Sequence, residues 1–263
     1  MPMAGKWLIF DVNETCLDLA PVEERVNELV GNELGFTIFF NRLISTSHVY
    51  SFTGRYGEGF TGLQRASLKA TCESFGKLYK EADFDAVRKA MGTMPPHAEV
   101  PAALDDLRKR GWKLCAFSNS TLAALTLGLQ RAGIADKYDK ILSVEGNRSF
   151  KPLHSTYHYA LGELGVSASE CLMVSCHDWD LAGGMAVGLR SVFIRRPGKT
   201  FISSAYSDAY PPPHYTSTTF APMADVLDGK PDRPEMGHVV VEAGPGAEDS
   251  EEGDAGPRKK SKR

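Results

Sequence analysis

Lys6-Trp7-Leu8-Ile9-Phe10-Asp11-Val12-Asn13-Glu14-Thr15 is an apolar run that ends in a carboxylate. The run reads as a β-strand over 7–12, with Asp11 where the strand gives way to a loop. A carboxylate in that position is well placed to attack an electrophile, and the neutral Asn13 two residues on cannot protonate a leaving group. The chemistry implied needs no acid.

Similar short runs recur at 113–117, 140–143, 171–175 and 191–194, separated by helical patterns. Strands alternating with helices imply crossover units and a parallel sheet whose site lies at the carboxyl ends of the strands. Asp11, Ser118 and Ser175 fall at those ends. Between 17 and 94 no strand is expected. Amphipathic helices are expected there at 22–30, 41–52, 61–75 and 84–91, and Pro95-Pro96 and Pro101 mark the return to the core. The fold expected is α/β, a Rossmann-like parallel sheet core (1–16 and 95–226) with an inserted α-helical cap domain (17–94).

The remainder, 227–263, changes character. Asp228 opens a Pro- and Gly-containing stretch, then come mostly acidic residues 248–254 and the basic end Arg258-Lys259-Lys260-Ser261-Lys262-Arg263. So little apolar content cannot offset the entropy of ordering, and a disordered charged tail is expected. A chain of 263 residues, 42% hydrophobic, 24% charged and with a net charge of -3, suits an enzyme with one substantial core or two modest ones. That charge favours no nucleic acid partner. No apolar run approaches the ~20 residues that span a bilayer, and no secretory signal is recognisable. Cys16, Cys72, Cys115, Cys171 and Cys176 contain no CxxC pair, which argues for reduced thiols rather than a disulfide framework or zinc site. A cytoplasmic protein is expected, with the basic tail leaving nuclear import open.

Three later segments supply what a nucleophilic Asp11 needs: Ser118-Asn119-Ser120, Lys151-Pro152 and Ser175-Cys176-His177-Asp178-Trp179-Asp180. Together with the first segment, and in this order, they resemble the four motifs of the haloacid dehalogenase superfamily, most closely its L-specific, inverting 2-haloacid dehalogenases. The resemblance implies that Asp11 displaces halide from C2 of a short 2-halo acid to give an ester, which water hydrolyses, without metal or organic cofactor. It implies that Thr15 and Ser118 hold Asp11, that Lys151 neutralises charge there, and that Asp180 orients Lys151. Ser175 matches the serine opening the fourth motif and Tyr157 the aromatic hydroxyl after the lysine. Arg42 and Asn119 are the expected halide cradle, and Trp179, with Phe39 and Phe60, the expected apolar wall. Apolar residues exposed on a cap helix would be compatible with a homodimer.

The sequence departs from that pattern at Glu14, where the family usually has glycine, at Cys176, often serine, and at His177, asparagine in its best-known members. A neutral imidazole takes a proton from water where an amide only positions it. His177 is therefore the candidate general base, with Asp18 or Glu14 to orient it and Asp18 favoured. The superfamily's commoner activity, magnesium-dependent phosphoryl transfer, is the alternative, but Asn13 and Cys176 stand where it resembles needing acids. A non-catalytic scaffold is the third reading.

Overall fold

A computed structural model describes residues 7–201 and 211–229. Within them, β1 (Trp7–Phe10), β2 (Lys113–Ser118), β3 (Lys140–Ser143), β4 (Cys171–Ser175), β5 (Arg190–Ile194) and β6 (Tyr215–Ser217) form one parallel sheet in the order β3-β2-β1-β4-β5-β6. This is the doubly wound order, and its winding reverses beside β1, where such sheets bind their ligands. Leu8, Ile9 and Phe10 of β1 and all of β4 are buried, because helices cover both faces of a parallel sheet. Phe10 pairs with Ala116 and Val174, and the Asp11 amide donates to the Val174 carbonyl at 2.9 Å. That register brings the ends of three strands to one edge. The sixth strand, three residues after Pro211-Pro212-Pro213, is too short to show a period in the sequence.

The cap comprises α1 (Ala20–Val30), α2 (Gly35–Phe52), α3 (Gly59–Ser74) and α4 (Glu81–Met91). The second of these starts six residues before the expected 41. Phe36, Phe39 and Leu43 recur at helical spacing and are all buried, so packing overrides the strand preference of an aromatic run. Gly35 at its start is demanded by close approach, since a Cβ there would lie 2.3 Å from Val30 Cγ2. The cap grips the core at one catalytic loop. The Ser51 hydroxyl donates to the Phe150 carbonyl and accepts from the Phe150 amide, and the Tyr56 ring stacks on Phe150 at 4.9 Å. Phe52 is 75% exposed on α2, the kind of surface behind the homodimer expectation.

The core continues through α5 (Val100–Lys109), α6 (Leu122–Arg131), α7 (His154–Leu164), α8 (Asp178–Ala186) and α9 (Met223–Leu227). The last helix buries Met223, Ala224 and Leu227, and Arg110 pairs with Asp225 and Asp228. The core thus reaches slightly past the expected boundary at 226, and the charged tail beyond Gly229 lies outside the described residues.

At the seam of α7 and α8, a Cβ on Gly183 would meet Tyr157 Cε2 at 2.6 Å and the Pro152 carbonyl oxygen at 2.7 Å. Pro152 follows Lys151, so the seam is also the seat of that lysine. Gly183→Ala is expected to cost ~1–3 kcal/mol through overpacking, and to lower the melting temperature by roughly 2–4 °C per kcal/mol. Calorimetry on the variant checks this; an unchanged melting temperature would show that the seam yields.

Candidate active site

Asp11 stands at the carboxyl end of β1, 6% exposed. Its Oδ2 accepts from the Thr15 hydroxyl at 2.7 Å, and its Oδ1 faces Lys151 Nζ at 3.2 Å. The Lys151 ammonium is fully buried and also donates to the Phe117 carbonyl at 2.9 Å and to Asp180 Oδ2 at 3.0 Å. Three oxygens around one ammonium leave it little rotational freedom. Burial works against its charge, but Asp180 and Asp11 more than compensate and raise the Lys151 pKa. Burial pushes the Asp180 carboxyl up, while Lys151 and a hydrogen bond from Tyr157 draw it back toward the carboxylate.

Of the expected residues, Asp11, Thr15, Lys151, Asp180 and His177 are brought together. Asn119 accepts the Lys151 amide at 3.0 Å through Oδ1, which assigns Nδ2 as its donor. Ser118 Oγ accepts from the Ser120 amide, and Ser175 Oγ from the His177 amide, so each fixes a loop at a strand end. Tyr157 is buried and turned onto Asp180, donating to Oδ1 at 2.7 Å. It braces the lysine's partner rather than facing a cavity. Trp179 does line a cavity with His177, and Phe60 lines another, whereas Phe39 is core.

Arg42 is not brought to the carboxylate. Its guanidinium donates to Thr71 Oγ1 at 3.0 Å and Ser74 Oγ at 3.1 Å on α3, because its place on α2 points it along the helix seam. Phe40 of that helix does reach the site: its ring lies 5.9 Å from His177, and Trp179 stacks on His177 at 5.2 Å. Arg42→Ala is accordingly expected to cost under about 1 kcal/mol of transition-state stabilisation, which is at most a few-fold in kcat/KM. A loss of a hundredfold would restore Arg42 to the site.

His177 Nε2 lies 3.7 Å from Asp11 Oδ2, 3.5 Å from Glu14 Oε2 and 3.4 Å from the Asn13 carbonyl. Asp18, the favoured partner, instead accepts the Ala20 amide and so holds the first turn of α1. Glu14 takes its place because it adopts φ 65, a left-handed turn that few non-glycine residues make. Burial opposes a charge on His177, but Cys176, Asp11 and Glu14 outweigh it and raise its pKa to about 10. These neighbours favour the imidazolium form. Lys199, 2.8 Å from Glu14 Oε1, adds a further positive group. Asp11, Glu14 and Asp180 thus face Lys151, Lys199 and His177, a balance of charges in a buried space.

Two residues that sequence reasoning missed come from the end of β5. Arg196 is buried, donates through Nε and Nη2 to the Thr15 carbonyl, and pairs with Glu99 at 2.6 Å. With Lys199 it buttresses the nucleophile loop. Their signal was available, since Arg195-Arg196 follow an apolar run just as Asp11 does.

A cavity of about 550 Å³ opens between cap and core beside Asn13 and Ser120. Leu17, Val22, Phe36, Phe40 and Phe60 give it an apolar wall, and Arg88, Lys89 and Arg131 add positive charge. A smaller cavity of about 280 Å³ is bounded by His177, Trp179, His48 and Lys199.

Residues 6–188 match the family model described as haloacid dehalogenase-like hydrolase. The chain is 28% identical over 199 residues to an (S)-2-haloacid dehalogenase of Pseudomonas sp. (strain YL), covering 74% of this chain and 85% of that protein. Over 108 residues it is 31% identical to haloacetate dehalogenase H-2 of Moraxella sp. (strain B), 41% of this chain and 48% of the relative. Among solved structures, the L-2-haloacid dehalogenase of Xanthobacter autotrophicus with chloropropionic acid covalently bound superposes with a TM-score of 0.74 at 19% identity, over 85% of this chain and 98% of that one.

Proposed function

This chain belongs to the haloacid dehalogenase-like hydrolases, and we propose that it hydrolyses short (S)-2-haloalkanoic acids to (R)-2-hydroxy acids through an ester on Asp11. The observation that carries the reading is the setting of Asp11, a carboxylate held between Thr15 and Lys151 with the amide Asn13 where a proton donor would otherwise stand.

Asp11 attacks C2 from the face opposite the halogen, so the carbon inverts and halide leaves with the bonding pair. The ordered anchoring by Thr15 and Lys151 fixes the attacking oxygen in advance. Imidazolium His177, 3.7 Å from Asp11 Oδ2, takes the role expected of Arg42 and, with the Asn119 amide, stabilises anionic charge. Esterification neutralises Asp11 and removes one of the anions that hold the His177 proton. That proton then leaves to solvent, accounting with the halide for the acid released. Neutral His177, steadied by Glu14, takes a proton from water as the oxygen adds to the Asp11 carbonyl. Collapse frees the hydroxy acid, and the cycle closes with Asp11 ionised and His177 protonated.

The donor set does not favour the magnesium-dependent phosphatase. Magnesium takes oxygen ligands, but position 13 is an amide, position 176 a thiol, and Asp180 is committed to Lys151 and Tyr157. The cavity beside Asn13, two residues from Asp11, has apolar walls and basic residues, which suits an acid with an apolar chain.

Halide release from each enantiomer of 2-chloropropionate, with a chelator present, tests the proposal. The S form alone is expected to react, at a rate the chelator does not change. No halide from either form, with magnesium-dependent phosphate release from model esters, would overturn it.

A further inference from the structure

We propose that Glu14, Cys176 and His177 form a binding site for zinc or another thiol-seeking divalent ion, and that occupation of this site reversibly blocks Asp11. One carboxylate oxygen, one sulfur and one imidazole nitrogen lie within 4.8 Å of one another, contributed by the loops after β1 and β4. The three atoms are near enough for one ion to draw them in, and the mixed donor set suits zinc or cadmium rather than magnesium or calcium.

The carboxylate is prepared for such a partner. Glu14 Oε1 is held by Lys199, while Oε2 is buried with no hydrogen-bond donor and lies 3.5 Å from His177 Nε2. A buried carboxylate oxygen without a hydrogen bond is costly and is free to accept a ligand. Asp11 Oδ2 is 3.7 Å from the same imidazole nitrogen, so an ion there faces the nucleophile and competes for it. All three ligands, at 14, 176 and 177, are positions where this chain departs from the dehalogenase pattern.

The binding inference does not rest on the dehalogenase reading, and its first readout is independent of activity.

The full chain is titrated with cadmium, following the ultraviolet thiolate-to-metal charge-transfer band, and with zinc by calorimetry in buffers of different protonation enthalpy. One equivalent, a charge-transfer band and proton release are expected. Cys176→Ser should remove the band and weaken zinc binding at least about tenfold, the least that losing a direct ligand should cost. Cys176→Ala serves as a second variant, and circular dichroism verifies that both fold. Halide release by the wild type should fall with zinc and recover with chelator, each rate being referred to the same protein without metal. No band in the wild type, or a band and zinc affinity unchanged in both folded Cys176 variants, would overturn the proposal. Zinc binding without inhibition would overturn its second half.

Discussion

Asp11→Asn is expected to abolish halide release, by on the order of 10⁴-fold or more, the scale on which removal of a covalent nucleophile acts. The amide is nearly isosteric, still accepts from Thr15 through its oxygen, and leaves Lys151 paired with Asp180 at 3.0 Å. The fold should therefore survive, and circular dichroism with a melting curve verifies it. The result separates chemistry from positioning: a folded variant with a residual rate within a hundredfold of wild type would mean that water, not Asp11, attacks the substrate.

The second large effect is expected at His177. In His177→Ala the first half-reaction is weakened by loss of a cationic donor, but the second loses its base, and general-base loss costs about 10²–10⁴-fold. The ester on Asp11 should accumulate, visible by mass spectrometry of the intact protein as an adduct of the acid without its halogen. In the wild type, kcat/KM should fall on the alkaline side as the free imidazolium is lost with a pKa of about 10. The sign follows from the raised pKa: the donor is present below that value and lost above it, and the Ala variant lacks that limb. Full turnover without adduct would assign the water to another group.

How far the molecule was legible in the sequence depended on the range of the interactions. Strands β1 through β5 announce themselves because a strand buried on both faces is largely apolar, and β1, β2 and β4 carry their functional residues at or just past that run. The grouping of Asp11, Thr15, Lys151 and Asp180 was implied by the resemblance to the dehalogenase motifs. What failed was direction. Arg42 and Phe40 are neighbours on α2, and only the packing of that helix decides that the ring meets His177 while the guanidinium bonds to α3. Asp18 and Glu14 are both close to Asp11 in the chain, but a left-handed turn aims Glu14 inward, and Asp18 spends its carboxylate on a helix amide. Tyr157 carries a hydroxyl that reads as a ligand for substrate until burial places it on Asp180. Arg196 acts across 181 residues of chain on the Thr15 carbonyl, a distance that no local pattern spans.

The most direct test of the covalent route is a single turnover of (S)-2-chloropropionate, enzyme in excess, in water enriched in oxygen-18. The mechanism predicts that the label enters the peptide carrying Asp11 and that the 2-hydroxy acid formed is unlabelled, because its oxygen comes from the carboxylate. Label in the product and none on Asp11 would contradict it.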